Sequence, residues 1–207
     1  MSASEHLITT VDELEALYGT PSGPAVAKEV DRLTMGYRAM IEAAPFAVIA
    51  TVGPEGVDCS PKGDPAGFIR VIDDVTLAIP DRPGNNRLDG MRNVLRDPRI
   101  SVLFLIPGVG ETLRVIGRAS ISVDPELMAG FAVNNKLPRS VMVVKIERVF
   151  FHCSKAIVRS KLWDEATKIA RTSLPSTGAI IAEVSGGTLG GADYDRAAPE
   201  RIKAMLY

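Results

Sequence analysis

The central part of the chain carries short runs of apolar and β-branched residues, separated by turns that contain Gly and Pro. Alternation of apolar and polar residues along such runs is typical of strands that bury one face. Six strands are predicted in this way, at residues 46–52, 56–73, 75–81, 100–108, 111–124 and 140–153. The second run contains Pro61, Gly63 and Pro65 and is interpreted as one interrupted strand. Because long helices do not alternate with these strands, a six-stranded antiparallel split β-barrel is favoured over a Rossmann fold.

The segments before, between and after the predicted strands have apolar residues at helical spacing. Helices are predicted over residues 11–19, 21–45, 88–98, 125–136 and 161–171, and again in the C-terminal tail. The expected fold class is therefore mainly β with flanking helices. Three parts are expected, a helical extension (1–44), a barrel (45–165) and a helical tail (166–207). The Gly-rich segment 185–191 lacks the Lys-Ser/Thr ending of a phosphate-binding loop and is interpreted as a flexible connector.

Composition narrows the classes of partner. Hydrophobic residues make up 46% of the 207 residues, which is ordinary for a globular protein. The formal net charge of -1 gives no support for nucleic acid or an anionic membrane as a partner. The N-terminus is polar and acidic, and no uncharged apolar stretch reaches about 18 residues, so neither a signal peptide nor a membrane span is predicted. The expected location is cytoplasmic.

Histidine and cysteine are scarce, with two of each in the chain. Cys59 and Cys153 form no CxxC motif, so reduced thiols are expected and Cys153 is interpreted as a buried structural thiol. A His-based metal site or a Ser-His-Asp hydrolase usually needs a histidine held by a second group, and only His6 and His152 are available. No metal is therefore expected.

The loop 81–87 is the first candidate for ligand chemistry. It combines a Gly-containing turn, the amides of Asn85 and Asn86 and the guanidinium groups of Arg82 and Arg87. The helix that follows would offer free N–H groups and a positive dipole, and arginine binds phosphate oxygens bidentately. A phosphate site is one interpretation, and a solvated polar loop, which the local sequence alone slightly favours, is the other.

Two strand positions add polar groups. Ser60 and Lys62 flank a Pro-Gly break, which either lets the backbone approach a ligand or marks an ordinary bulge. Thr112, Arg114 and Ile116 share one face of their strand because side chains alternate along it. Arg114 therefore lies on a partly apolar face and needs an anionic partner, from a salt bridge or from a ligand.

A cationic stretch follows the last predicted strand. It contains Arg159, Ser160 and Trp163, the only tryptophan of the chain. A single tryptophan is most often a core residue or an interface anchor. With flanking Lys and Arg residues, it would also suit packing on a planar anionic cofactor.

Taken in order, these features resemble the FMN-binding split barrels of the pyridoxamine 5'-phosphate oxidase-like family, and particularly a bacterial branch of it. The resemblance covers about residues 40–165. Asn85, Asn86 and Arg87 stand where the family has a Ser-Arg-Lys-like triplet that holds the FMN phosphate. Asp97-Pro98 stands in the place of the family's Asn-Pro, and 111–117 matches its Arg-Gln-Val-Arg-x-x-Gly.

The resemblance implies FMN as cofactor and a homodimer with the flavin at the subunit interface. It assigns Ser60, Lys62, Asn86 and Arg87 to one subunit and Thr112, Arg159 and Trp163 to the other. Asn85, Arg114 and Ser160 complete the expected cofactor-binding set, and no catalytic residue is assigned.

The residues with which the true oxidase holds its substrate phosphate have no equivalents that can be placed in this chain, so vitamin B6 activity is not carried over. The expected function is an FMN-dependent oxidoreductase that acts on a small molecule, with a nicotinamide or oxygen as redox partner. The alternative is a non-catalytic flavin or deazaflavin binder or sensor.

Overall fold

Seven strands form one antiparallel sheet in the computed structural model, which describes residues 6–206. The strands are β1 (Phe46–Gly53), β2 (Gly56–Gly63), β3 (Arg70–Asp73), β4 (Thr76–Asp81), β5 (Arg99–Leu105), β6 (Thr112–Ser122) and β7 (Ser140–His152). Their order in the sheet is β2-β1-β5-β6-β7-β4-β3, so β2 and β3 are its two edges. The mainly β split-barrel class is confirmed, although six strands were predicted.

The extra strand comes from the run 56–73, which was interpreted as a single interrupted strand. Its first half is β2, which pairs with β1, and its second half is β3, which pairs with β4 at the opposite edge. Residues 64–69 connect the two edges. Pro65 cannot donate a backbone hydrogen bond, and Gly67 has a φ of 84°, so this segment cannot continue a regular strand.

The core lies on the inner face of the curved sheet. Alternate residues of each central strand are buried there, as a strand's two-residue period requires. Fully buried members include Ala47, Val102, Phe104, Leu113, Val115, Val144 and Val149. The residues between them form an outer face, on which Val48 pairs with Leu103, Leu103 with Arg114 and Arg114 with Phe150.

The pairing of β6 with β7 shifts register between Ile116 and Gly117. A Cβ atom at Gly117 would collide with the backbone carbonyl of Lys145. Glycine is therefore required sterically at this bulge, and the bulge bends the long β6–β7 pair that the barrel needs for its curvature.

Nine helices flank the sheet within residues 6–206. They are α1 (Val11–Tyr18), α2 (Gly23–Ala27), α3 (Met35–Ala43), α4 (Asp89–Arg96), α5 (Pro125–Gly130), α6 (Lys155–Ser160), α7 (Thr177–Val184), α8 (Gly191–Arg196) and α9 (Ala198–Leu206). No helix in that range is long and apolar enough to cross a membrane.

The single helix predicted over 21–45 is instead two helices, α2 and α3. Between them Val30 pairs with Val149 of β7, and the Leu33 N–H donates to the Asp74 carbonyl. The Thr34 hydroxyl then accepts a hydrogen bond from the Tyr37 N–H and starts α3 as an N-cap. Leu33 and Ile41 are buried in the main core, so α3 packs directly on the barrel.

The prediction of a helix over residues 161–171 is also wrong. Helix α6 ends at Ser160, and its C-cap residue Lys161 has the left-handed φ of 51°. Two short 3-10 turns, Glu165–Thr167 and Arg171–Ser173, then precede α7. The Gly-rich segment 185–191, expected to be a connector, is exposed over residues 186–189, and only its end packs closely, since a Cβ atom at Gly178 would collide with the Gly191 carbonyl. Helices α7 and α8 are joined there by Asp195, which accepts hydrogen bonds from the Ser176 hydroxyl and the Gly178 N–H.

Candidate functional site

A cleft of about 140 Å³ opens where β1 and β2 face the loop between β4 and α4. It is lined by Ile49, Thr51, Asp58, Ser60, Lys62, Asp81, Arg82, Gly84, Asn85, Asn86, Arg87, Leu88, Gly90, Met91, Arg139 and Met142. Five predicted site residues, Ser60, Lys62, Asn85, Asn86 and Arg87, are therefore brought together in one place.

The β2 side of the cleft follows from strand alternation. Asp58, Ser60 and Lys62 lie at every second position and point inward, while the residues between them are exposed. The Ser60 hydroxyl donates to the Asp58 carboxylate over 2.8 Å, and the Lys62 ammonium lies 2.7 Å from Asp81. The cleft wall is thus polar and already hydrogen-bonded.

The loop after β4 forms the opposite side of the cleft. Asn86 adopts a left-handed φ of 59°, a conformation that asparagine tolerates better than most residues. The Arg87 N–H donates to the Asn85 side chain over 3.0 Å, which tightens the turn before α4. The Arg87 guanidinium lies 2.9 Å from Asp89 and is largely exposed, with 77% of its side chain accessible.

The start of α4 differs from the sequence-based expectation of an open, positive helix terminus. Asp89 lies in its first turn, where a carboxylate already compensates the positive helix dipole. A Cβ atom at Gly90 would lie only 2.8 Å from the Asp58 carboxylate, so a second acid is close to the same terminus. An anion in this cleft therefore depends on cationic side chains more than on the helix end.

Four cations and two carboxylates line the cleft, namely Lys62, Arg82, Arg87 and Arg139 against Asp58 and Asp81. Asp64 and Asp89 do not line the cleft but pair with Arg82 and Arg87, so the four cations are matched by four acids close to them. The convergence of four cationic side chains still suits an anionic ligand group. Arg82 also contacts Asp64 and donates to the Phe131 carbonyl over 2.7 Å, which fixes it at the inner end of the cleft.

The remaining predicted site residues lie elsewhere in the chain. Thr112 and Arg114 are on the outer face of β6, away from the core. The Arg114 guanidinium lies 5.7 Å from the centre of the Phe150 ring, a cation–π distance. No carboxylate is recorded as its partner among residues 6–206, so the anionic partner expected for it is not supplied by that part of the chain.

Arg159, Ser160 and Trp163 lie at the end of α6 and just after it. Arg159 and Ser160 are exposed, and the Ser160 hydroxyl donates to the Ile157 carbonyl within its own helix over 3.1 Å. The Trp163 indole donates to the Val109 carbonyl over 2.7 Å, which anchors this segment to the loop before β6. One chain therefore presents two separate groups of predicted site residues.

Sequence reasoning missed several cleft residues. Asp58 lies two positions before Ser60 on the same strand, so alternation could have found it. Asp81 and Arg82 belong to the loop that was already singled out, but only its later residues were assigned. Arg139 is distant in sequence, and it reaches the cleft only because β7 pairs with β4, which no local signal revealed.

His152 is the central histidine, at the end of β7. Its Nε2 atom is buried and has no hydrogen-bond partner. Burial lowers the pKa of His152 below its usual value, and the nearby charges of Arg114 and Lys28 lower it further.

Cys59 and Cys153 are both exposed, so the expectation that Cys153 is buried was wrong. In the described part of the chain, no cluster of three or more His, Cys, Asp or Glu side chains could hold a metal ion.

Several solved structures are similar to the described fold. The HupZ protein of Group A Streptococcus matches with 20% identity over 59% of this chain and 95% of its own, at a TM-score of 0.49. General stress protein 26 of Bacillus anthracis matches with 17% identity over 55% and 88%, at a TM-score of 0.42. An F420 reductase matches with 18% identity over 58% and 98%, at a TM-score of 0.41. The comparison with curated proteins finds no match.

A known protein family matches the sheet-forming part of the chain. The model of the pyridoxamine 5'-phosphate oxidase family matches residues 33–153, which is more than half of the chain. The matched range begins just before α3 and ends after β7, so it contains the whole sheet and every residue that lines the cleft. The chain therefore belongs to the pyridoxamine 5'-phosphate oxidase family of split-barrel proteins.

Proposed function

We propose that this protein binds FMN with its phosphate in the cleft and acts as an oxidoreductase on a small molecule. The convergence of four cationic side chains on one cleft carries the proposal, since a phosphate monoester has about 1.5 to 2 negative charges near pH 7. Family membership supports it, because proteins of this family generally bind a flavin.

Lys62 and Arg87 are the expected phosphate contacts from the sequence. Each is within 3 Å of a carboxylate, so each would share its charge between that acid and the phosphate. Arg87 is well exposed and can turn toward the ligand at little cost. The amides of Asn85 and Asn86 and the Ser60 hydroxyl would add neutral hydrogen bonds around the phosphate and the ribityl chain.

The cleft accommodates only part of an FMN molecule. Its volume of about 140 Å³ is below the roughly 300–1,000 Å³ that is typical of small-molecule sites. The isoalloxazine ring would therefore extend beyond this chain's own cleft, where a second surface must shield it from water. A bound flavin would supply the redox chemistry, and the protein would supply position, charge and exclusion of water.

A second copy of the chain is the proposed source of that surface. The second group of predicted site residues does not line the cleft of its own chain. In a homodimer these residues would contact the flavin of the partner subunit; they are Thr112, Arg114, Arg159, Ser160 and Trp163. The outer sheet face supports this arrangement, because Val48 and Leu103 are only half-buried and lie in register with Arg114. Covering such a face removes apolar surface from water.

A non-catalytic flavin or deazaflavin binder is the second candidate function. Among the described residues that line the cleft, we assign no general acid or base. Hydride transfer to and from a flavin does not require one. The experiment that separates the two is anaerobic mixing of the FMN-loaded protein with NADH or NADPH. Rapid bleaching of the flavin absorbance supports an oxidoreductase, and bleaching by dithionite alone supports a binder.

A further inference from the structure

The four cations of the cleft differ in how their charge is already compensated. Lys62 lies 2.7 Å from Asp81, Arg82 lies 3.0 Å from Asp64, and Arg87 lies 2.9 Å from Asp89. Each of these three cations therefore has a carboxylate partner before any ligand binds. A phosphate that approached them would have to share or displace that acid.

Arg139 is the exception. Within residues 6–206 its side-chain partner is neutral, because its Nη1 atom donates to the Asn86 side-chain oxygen over 2.6 Å. Its backbone is fixed at the start of β7, where its N–H donates to the Asp81 carbonyl over 3.0 Å. The guanidinium group is thus held at the cleft while its full positive charge remains available.

Asn86 explains how Arg139 is oriented. The left-handed backbone at Asn86 turns its side chain toward Arg139, across 53 residues of sequence. A carboxylate at this position would neutralise the guanidinium, whereas the amide holds it without doing so. Asn86 therefore orients the Arg139 guanidinium without neutralising it. An oriented guanidinium that keeps its charge is suited to bind an anion.

We infer that Arg139 is the principal anion-binding residue of the cleft and that Asn86 is its positioning residue. The ligand group is a phosphate monoester, and its oxygens would take the guanidinium donors of Arg139 that Asn86 does not use. Assigning this phosphate to FMN rests on the proposed function, but the preference of Arg139 for a phosphate does not.

The first test compares FMN with riboflavin, which lacks the phosphate. Binding is measured by quenching of flavin fluorescence for the full chain and for Arg139→Ala. The substitution is expected to weaken FMN binding by about 10- to 100-fold, the usual range for loss of one charged hydrogen-bonding group, and to leave riboflavin unchanged. Arg96→Ala is the control, because Arg96 pairs with Glu55 on the surface and does not line the cleft. Equal FMN affinity in the two variants, or equal loss of FMN and riboflavin in Arg139→Ala, would overturn the inference.

The positioning role is tested by giving Arg139 an acid. Asn86→Asp keeps the hydrogen-bonding geometry but adds a carboxylate beside the guanidinium, so FMN binding should fall nearly as far as in Arg139→Ala. Arg139→Lys should recover part of the lost affinity through its charge alone. Unchanged FMN affinity in Asn86→Asp contradicts the positioning role of Asn86.

A third measurement does not depend on flavin. Inorganic phosphate, compared with chloride at equal ionic strength, should raise the melting temperature of the full chain and of Arg96→Ala but not that of Arg139→Ala. If the protein binds no FMN but shows this phosphate response, the proposed function fails and the assignment of Arg139 stands. If phosphate stabilises Arg139→Ala as much as the unaltered chain, the assignment of Arg139 is wrong.

Discussion

Lys62 on β2 lies 2.7 Å from Asp81 on β4, two strands that are not neighbours in the sheet. Together with the contact between Asp64 and Arg82, this ion pair links two distant parts of the sheet across its open side. The cleft lies at this junction. Lys62, Asp81 and Arg82 therefore both link these parts of the sheet and line the candidate site.

Loss of this ion pair should lower stability measurably. Asp81→Asn leaves Lys62 partly buried without its acid, with 31% of its side chain exposed. We expect the free energy of unfolding to fall by about 1–2 kcal/mol, between the near-zero value of exposed pairs and the larger cost of buried ones. Urea unfolding measures this. Glu55→Gln, which removes the exposed pair with Arg96, is the control and should change stability by less than about 0.5 kcal/mol. Equal effects of the two substitutions contradict a bridging role for Lys62 and Asp81.

In the proposed site Asp89 would compete with the FMN phosphate for Arg87, so the two residues should have opposite effects on FMN affinity. Asp89→Asn releases the Arg87 guanidinium and removes a negative charge beside the cleft, and it should tighten FMN binding by about 2- to 5-fold, as weakly coupled surface charges do. Arg87→Ala should weaken binding. Fluorescence titration measures both. Weaker FMN binding in Asp89→Asn would mean that the acid contributes to the site rather than competing with it.

The proposed homodimer would be formed through the outer sheet face. Leu103 is paired with Val48 and Arg114 at the centre of that face, so Leu103→Arg would place a charge in the proposed interface. We expect a monomer in light scattering and a loss of FMN from the same preparation, because the second group of site residues leaves with the partner. Val123→Arg, at a position that is 69% exposed beyond β6, should remain dimeric. A dimer that persists in Leu103→Arg with intact circular dichroism contradicts this interface.

His152 should make stability depend on pH. Its pKa in the folded chain is lowered, by burial first and by Arg114 and Lys28 after that, so the unfolded chain binds the proton more tightly. Stability should therefore fall as the pH drops through the unfolded value of about 6.5 and level off below the folded pKa. Urea unfolding at pH 7.5 and 5.5 should show a smaller loss in His152→Gln than in the unaltered chain.

The cause of this shift can be tested directly. Arg114→Gln removes one of the charges that disfavour the imidazolium, so the pKa of His152 should rise in an NMR titration. His6, the only other histidine of the chain, is identified by its own substitution. An unchanged His152 pKa in Arg114→Gln would show that burial and Lys28 account for the shift alone.

The sequence predicted those parts of the fold that depend on local pattern. Strands β1, β4, β5, β6 and β7 and helix α4 were predicted because their alternation or spacing reflects burial within the element itself. The separation of β2 from β3 was missed, because it depends on which edge of the sheet each half of 56–73 joins. Thr34 was missed as a helix start, because apolar spacing continues across it.

In the candidate site, too, the residues that belong to local motifs were predicted and those placed by strand pairing were missed. Ser60, Lys62 and the loop 85–87 carry visible polar motifs, and the fold brings them together. Arg139 is an exposed arginine at the end of an ordinary loop, and its importance appears only when the β4–β7 pairing places it beside Asn86. Flavin contact by the second group of site residues stays a prediction, since these residues would contact the flavin of a second copy of the chain. They are Thr112, Arg114, Arg159, Ser160 and Trp163.

Native mass spectrometry of the purified full chain gives the sharpest test of flavin binding. We expect a dimer that carries one FMN per chain, and Arg139→Ala should lose that mass under conditions in which Arg96→Ala keeps it. A chain that is purified without a flavin and gains no mass when FMN is added would show that the protein does not bind FMN.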